Sequence, residues 1–204
     1  MSEAACTVAC MSTITTALAT TARWDDVQHA LTGGGDGASC QCIWPMLSNK
    51  DWNGTTVPQR TEMLREEIAD GPPPGLIAYV DGEPAAWVRV GPRTDLQRWV
   101  RTKAITALTE EPLDDPEVWA ISCFSVRKEH RGKGLNRRLL DAAIDHARAN
   151  GARVIEAYPV DPTAGRKKPS NDLYHGVLST FEAAGFEIVG RPKPDTALVS
   201  LTLR

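Results

Sequence analysis

No stretch of this chain approaches the roughly 20 uninterrupted apolar residues that a membrane-spanning helix requires, so no membrane role is expected. Cysteine is scarce and odd in number. Cys6, Cys10, Cys40, Cys42 and Cys123 are five among 204 residues, which implies no disulfide framework and fits a reducing compartment. Neither Cys6-x3-Cys10 nor Cys40-x-Cys42 has the spacing of a zinc knuckle, so no metal is expected. The N-terminus carries Glu3 and no Lys or Arg before Arg23, so it lacks the positive start of a secretory signal and a cytoplasmic location is the expectation. An excess of positive charge is missing too. Lys and Arg number 23 against 26 Asp and Glu, a net charge of −3, so no nucleic-acid partner is expected, with residues 131–138 and 165–168 as the two local basic patches. Internal repeats and long low-complexity tracts are absent.

What is present is ordinary for a globular chain: 42% hydrophobic and 24% charged residues, in a length that suits one well-cored α/β domain. Residues 1–22, rich in Ala and Thr, read as a poorly ordered extension, with Met11 as credible a start as Met1, and residues 23–204 read as a single domain. Apolar periodicity and breakers predict a helix over 22–31 and a strand over 40–46 with Cys40 and Cys42 on one face. A helix follows, opened by the Thr56-x-x-Gln59 capping pattern. A hairpin over 76–90 turns at Asp81-Gly82, and a short helix covers 95–105. The second half reads βαβαββ: strand 118–126, helix 135–149, strand 153–158, helix 173–184, strands 186–189 and 197–203.

The junction between the first strand and helix of that half carries the chemistry. It reads Val126-Arg-Lys-Glu-His-Arg131-Gly-Lys-Gly134-Leu-Asn136. Gly132 and Gly134 permit a tight turn and close approach of backbone to a ligand, while the first helical turn leaves N–H groups without intrahelical partners. The helix dipole favours an anion there, and Arg131, Lys133, Arg137 and Arg138 add positive charge. No GxxxxGK[ST] loop occurs, and the third glycine of GxGxxG is missing.

Arg131-Gly132-Lys133-Gly134-Leu135-Asn136 resembles the Arg/Gln-x-x-Gly-x-Gly/Ala signature of the GNAT N-acetyltransferase superfamily, with Asn136 in place of the last small residue. Phe181-Glu-Ala-Ala-Gly185-Phe186 resembles the family's Tyr-x-x-x-Gly-Phe ending, with Phe181 at the tyrosine position. The resemblance covers about residues 40–204. It implies an α/β fold with a mixed, mostly antiparallel sheet, a splayed central strand pair and helices on both faces. It further implies that acetyl-CoA is the co-substrate, with Phe124, Ser125 and Val126 along the pantetheine arm and Arg131, Gly132, Lys133, Gly134, Leu135 and Asn136 around the pyrophosphate. A strand N–H near Phe124 or Ser125 would polarise the thioester, an effect worth ~3 kcal/mol.

A phenyl ring at 181 only packs, so another group must protonate the departing thiolate. Tyr174 and Tyr158 are the candidates on that side of the sequence, Tyr174 first; His175 reads as a solvated or capping residue. Glu156, in the second strand of the splayed pair, is the leading carboxylate for a general base. Cys123 reads as a small buried thiol rather than a nucleophile. Trp44, Trp52 and Trp87 are suited to wall an acceptor pocket, with Trp44 the first substrate-binding candidate, although all three are equally good core residues. The expected activity is direct acetyl transfer to a primary amine of a small molecule. A non-catalytic acyl-CoA sensor, or transfer to a protein or aminoacyl-tRNA, stays open. Dimers are common among relatives, so a homodimer is one expected assembly.

Overall fold

The computed structural model describes residues 12–164 and 168–203. Cys6, Cys10, Met11 and most of the 165–168 basic patch lie outside the described residues. The elements in chain order are β1 (Ile14–Leu18), α1 (Trp24–Thr32), α2 (Gly37–Cys40), α3 (Asn49–Gly54), α4 (Val57–Asp70), β2 (Gly75–Val80), β3 (Glu83–Pro92), α5 (Gln97–Arg101), α6 (Lys103–Thr106), β4 (Val118–Val126), α7 (Leu135–Ala149), β5 (Val154–Ala157), α8 (Leu178–Glu182), β6 (Glu187–Lys193) and β7 (Thr196–Thr202). Seven strands form one sheet in the order β1-β2-β3-β4-β5-β7-β6. Among these strands, within the described residues, only the β4–β5 pair is parallel.

Alternation along the strands assigns side chains to the two faces. Leu76, Ala78 and Val88 pack with Leu135, Leu139, Leu140 and Ala143 of α7, while Ile77 and Trp87 point the other way onto Leu31, Ile43, Leu64 and Ile68. A smaller cluster gathers Leu96, Trp99, Ile105, Ala120, Tyr158 and Leu198. Helix α7 matches its predicted span because its apolar residues recur at four-residue spacing and Gly151, at φ 86°, supplies the left-handed stop. The Thr56–Gln59 capping box opens α4 as its sequence predicts.

Two features of the sheet position the site. Cys123 pairs with Arg89 and Ile121 with Val90, which leaves Ser122 as an extra residue in β4, a β-bulge. The β4–β5 pairing ends at Ile121↔Ala157, although β4 runs on to Val126, so the strands part. The segment from Tyr174 to Leu178 bonds to both sides of that gap. The Phe124 amide donates to the Tyr174 carbonyl (2.6 Å) and the Val160 amide to the Gly176 carbonyl (2.9 Å), while the Leu178 amide donates to the Val160 carbonyl (2.8 Å).

Three sequence expectations are corrected. Within the expected 1–22 extension, Ile14–Leu18 is an edge strand paired with β2 in register Ile14↔Val80 to Leu18↔Leu76. Residues 40–46 are not a strand: α2 ends at Cys40, Gln41 and Cys42 take left-handed φ of 51° and 52°, and Trp44–Met46 is a 3-10 turn. Pro45 brings no amide to a ladder, and Cys42 and Ile43 are both buried in the turn. The predicted helix 173–184 is broken. A 3-10 turn covers Ser170–Leu173, Gly176 sits at φ 82°, and α8 begins only at Leu178. A Cβ at Gly176 would lie 2.7 Å from the Phe181 ring, so glycine is needed for both conformation and space.

Candidate active site

At the start of α7, Gly132 and Gly134 adopt φ of 77° and 75°, and a Cβ at either would meet no heavy atom within 4 Å. The turn therefore needs glycine for its backbone and leaves open space beside it. The amides of Gly132, Lys133 and Gly134 donate to no carbonyl among the described residues. Asn136 Oδ1 is likewise buried without a hydrogen-bond partner among them. Arg131, Gly132, Gly134, Leu135 and Asn136 all border a cavity of about 610 Å³, which Cys123, Phe124, Ser125 and Val126 of β4 also line. Such a cradle of free amides at a helix N-terminus fits a pyrophosphate. Lys133 does not border the cavity; its ammonium lies 3.2 Å from His130 Nδ1. Arg137 is held by Asp141 (2.9 Å) and donates to the Ala183 carbonyl (2.7 Å).

The cavity is further lined by Cys40, Cys42, Trp44, Pro45, Trp52, Leu173, Tyr174 and Val177. Trp44 and Trp52 border the cavity, each beside a guanidinium: Arg98 at 4.1 Å and Arg60 at 3.9 Å from the ring centres. Those cations are anchored, Arg98 to the Trp44 carbonyl (2.6 Å) and Arg60 to the Ser39 carbonyl (2.8 Å), so the indoles are fixed walls. Trp87 is instead fully buried core.

The expected base is elsewhere. Glu156 is 1% exposed, and its carboxylate accepts from Arg93 Nη1 (2.9 Å), from Tyr158 Oη (3.3 Å) and from Thr109 Oγ1. It faces the smaller cluster rather than the cavity, because the strand register sets it on the side of Tyr158 and Leu198. Tyr158 is closed off too, stacked on Trp99 at 4.2 Å.

Tyr174 does border the cavity. Burial, with the Cys123 and Cys40 thiols adding to it, pushes its phenol up to about 12, so it remains a proton donor at neutral pH. The neighbouring His175 is fixed by Nδ1 donating to the Ser122 carbonyl at the bulge (2.7 Å), and burial lowers it to about 4, which keeps the imidazole neutral. Phe181 is fully buried and packs edge-on against Phe124 (6.1 Å) and Phe186 (5.2 Å), as its chemistry requires. Of the two strand amides expected to polarise a thioester, Phe124 or Ser125, that of Phe124 is already taken by the Tyr174 carbonyl. Sequence reasoning missed Gly34, Gly35, Asp36 and Gly37, which border the same cavity. Their signal was the glycine run itself, read only as a helix stop; a Cβ at Gly37 would lie 2.4 Å from the Leu31 carbonyl oxygen and 3.1 Å from Ser125 Oγ.

Residues 44–175 match the sequence model of the acetyltransferase (GNAT) family. Among curated proteins, none matches this chain in sequence. Solved structures share the fold at low identity. An N-acetyltransferase from Staphylococcus aureus Mu50 aligns at TM-score 0.55 and 15% identity, covering 95% of this chain and 100% of its own. PaiA N-acetyltransferase from Thermoplasma acidophilum, in complex with coenzyme A, aligns at TM-score 0.52 and 11% identity, over 93% and 99% of the two chains. Salmonella typhimurium yncA, solved with its cofactor acetyl-CoA, aligns at TM-score 0.50 and 19% identity, over 94% of each. With the sequence model spanning well over half the chain and the glycine turn, parted strands and sheet order all in place, this chain belongs to the GNAT acetyltransferase family.

Proposed function

We propose that the protein transfers acetyl from acetyl-CoA directly to a primary amine of a small, largely apolar acceptor. The observation that carries this reading is a single cavity joining the amide cradle of α7 to a chamber walled by Trp44, Trp52 and Tyr174. Acetyl-CoA would supply the activated acetyl group as a thioester. Amides 132–136 and Arg131 would hold its pyrophosphate, and the β4 edge at Phe124 to Val126 would run beside its pantetheine arm. The acceptor end offers fixed indole walls and few charges, so an apolar or aromatic amine fits it and reacts as the free base. Tyr174, protonated at working pH, would donate to the departing thiolate in place of the tyrosine replaced by Phe181.

A second reading, an acyl-CoA-binding module without catalysis, is favoured by one observation: the Phe124 amide is bonded to Tyr174 rather than left open. Calorimetric titration with acetyl-CoA, followed by a thiol-release assay across aromatic, aliphatic and polyamine acceptors, separates the two. Binding with release on apolar amines supports transfer. Binding without release on any amine selects the module, and no binding at millimolar acetyl-CoA removes both.

A further inference from the structure

Three of the chain's five cysteines fall among the described residues, and all three border the cavity. The proposed transfer uses none of them. Two are in contact across 81 positions of sequence, the Cys42 thiol donating to the Cys123 sulfur at 3.2 Å. The backbone is held in an uncommon conformation to make that contact. Gln41 and Cys42 are successive non-glycine residues with left-handed φ, a conformation that L-residues adopt only when their surroundings enforce it. Gln41 is the clamp: it is 2% exposed, receives the Gln28 side-chain amide (2.8 Å) and donates to the Ala38 carbonyl (3.0 Å).

Positive charge lies beside the pair. Arg89 is the cross-strand partner of Cys123 and only 3% exposed; Nη2 bonds to Glu67, while Nη1 has no hydrogen-bond partner among the described residues. A buried guanidinium next to two sulfurs favours the negative charge that develops when one of them attacks an oxidant. The geometry also assigns the order of events. Cys42 is the donor and is 1% exposed, whereas the acceptor Cys123 is half-buried in the cavity wall, so Cys123 meets an incoming small molecule first.

We propose that Cys42 and Cys123 form a peroxide-sensitive modification site, closing to a disulfide that reversibly distorts the acetyl-transfer cavity. Cys123 sulfur attacks hydrogen peroxide, the O–O bond breaks, and a sulfenic acid and one water form. Cys42 sulfur then attacks Cys123 sulfur, the S–O bond breaks, and the departing hydroxide leaves as a second water with the Cys42 proton. Two thiols supply two electrons to one peroxide, giving one disulfide and two waters. The sulfurs must close to roughly 2.05 Å, about 1 Å nearer than they stand. That motion draws the turn carrying Trp44 toward the strand carrying Phe124, so it acts on both walls of the chamber. Cys40, on the same wall, serves as an internal control, because its thiol has no sulfur partner among the described residues.

The test uses the full chain, reduced and then treated with hydrogen peroxide at stoichiometric to tenfold excess. Remaining thiols are alkylated, and the non-reduced digest is read by mass spectrometry beside the thiol-release assay. The expected result is a Cys42–Cys123 linked peptide formed before Cys40 is modified, with transfer reduced at least about tenfold and restored by dithiothreitol. In Cys42→Ser, Cys123 should accumulate as a dimedone-trappable sulfenic acid with no internal link. Uncrosslinked sulfinic acid at Cys123 in the unaltered chain would overturn the proposal, and so would a link that leaves transfer unchanged. The linkage is read independently of catalysis, so its absence is distinguishable from a failure of the acetyl-transfer reading on which the gating effect rests.

Discussion

Tyr174 and Glu156, both acid–base candidates in the sequence, acquire opposite roles from their surroundings. Tyr174 lies in the cavity wall, protonated, with its hydroxyl available to a ligand. Removing that hydroxyl in Tyr174→Phe should lower kcat by about 100-fold, with acetyl-CoA affinity changed less than about threefold, because general-acid help is felt in the transition state rather than in binding. Steady-state kinetics with the best acceptor, alongside calorimetry, check this; unchanged kcat would remove Tyr174 from the mechanism. Glu156 forms a fully enclosed ion pair with Arg93, 1% exposed on each side. Its replacement by Ala leaves a buried guanidinium without its carboxylate, at a cost of about 3–5 kcal/mol. The expected outcome of Glu156→Ala is a matching fall in urea-unfolding free energy; a change in transfer rate without a change in stability would return Glu156 to the list of bases.

At the level of elements, the glycine turn before α7 has two separable demands. The left-handed φ of Gly134 makes any side chain strained there by about 1–2 kcal/mol, while its Cβ direction opens onto empty space. Gly134→Glu should therefore keep the fold, with a modestly lower thermal midpoint, and lose acetyl-CoA binding, since a carboxylate would stand where the proposed cradle would hold the pyrophosphate. Circular dichroism and calorimetry on the same sample decide it, and retained binding would sink the cradle assignment. This turn was legible in sequence because its strand, glycines and helix are contiguous. The helix predicted over 173–184 was not, because apolar periodicity carries through Gly176 while the required φ and the contact with the Phe181 ring are set by packing. The missed edge strand Ile14–Leu18 has a similar cause: only Ile14 and Ala17 are partly buried, so its sequence carries little alternation, and its pairing depends on β2.

For the whole molecule, the half-buried imidazole of His175 ties stability to pH. Its folded value, about 4, lies below the ordinary value of 6.5. Below pH 6.5 the unfolded chain takes up a proton that the folded chain refuses, so stability falls as pH drops from 6.5 toward 4 and is flat above that range with respect to this group. The loss should be on the order of 2 kcal/mol, and His175→Gln, whose amide has no proton to gain in this range, should flatten that part of the curve. Denaturant unfolding at pH 7 and pH 4.5 measures it; an equal pH slope in the variant would count against the assignment.

The sequence by itself determined the central strand, helix α7, the hairpin, the glycine cradle and the family resemblance, because each rests on local periodicity, backbone freedom or contiguous spacing. Tertiary structure alone decided which polar groups face the ligand. Glu156 was sealed behind Arg93, Trp87 went to the core while Trp44 and Trp52 became walls, and the Gly34–Gly37 loop was brought to the same cavity as the glycine turn. It also set Cys42 against Cys123 across the fold. Side-chain direction and long-range proximity depend on strand register and the packing of distant elements, and no local pattern in the chain encodes them.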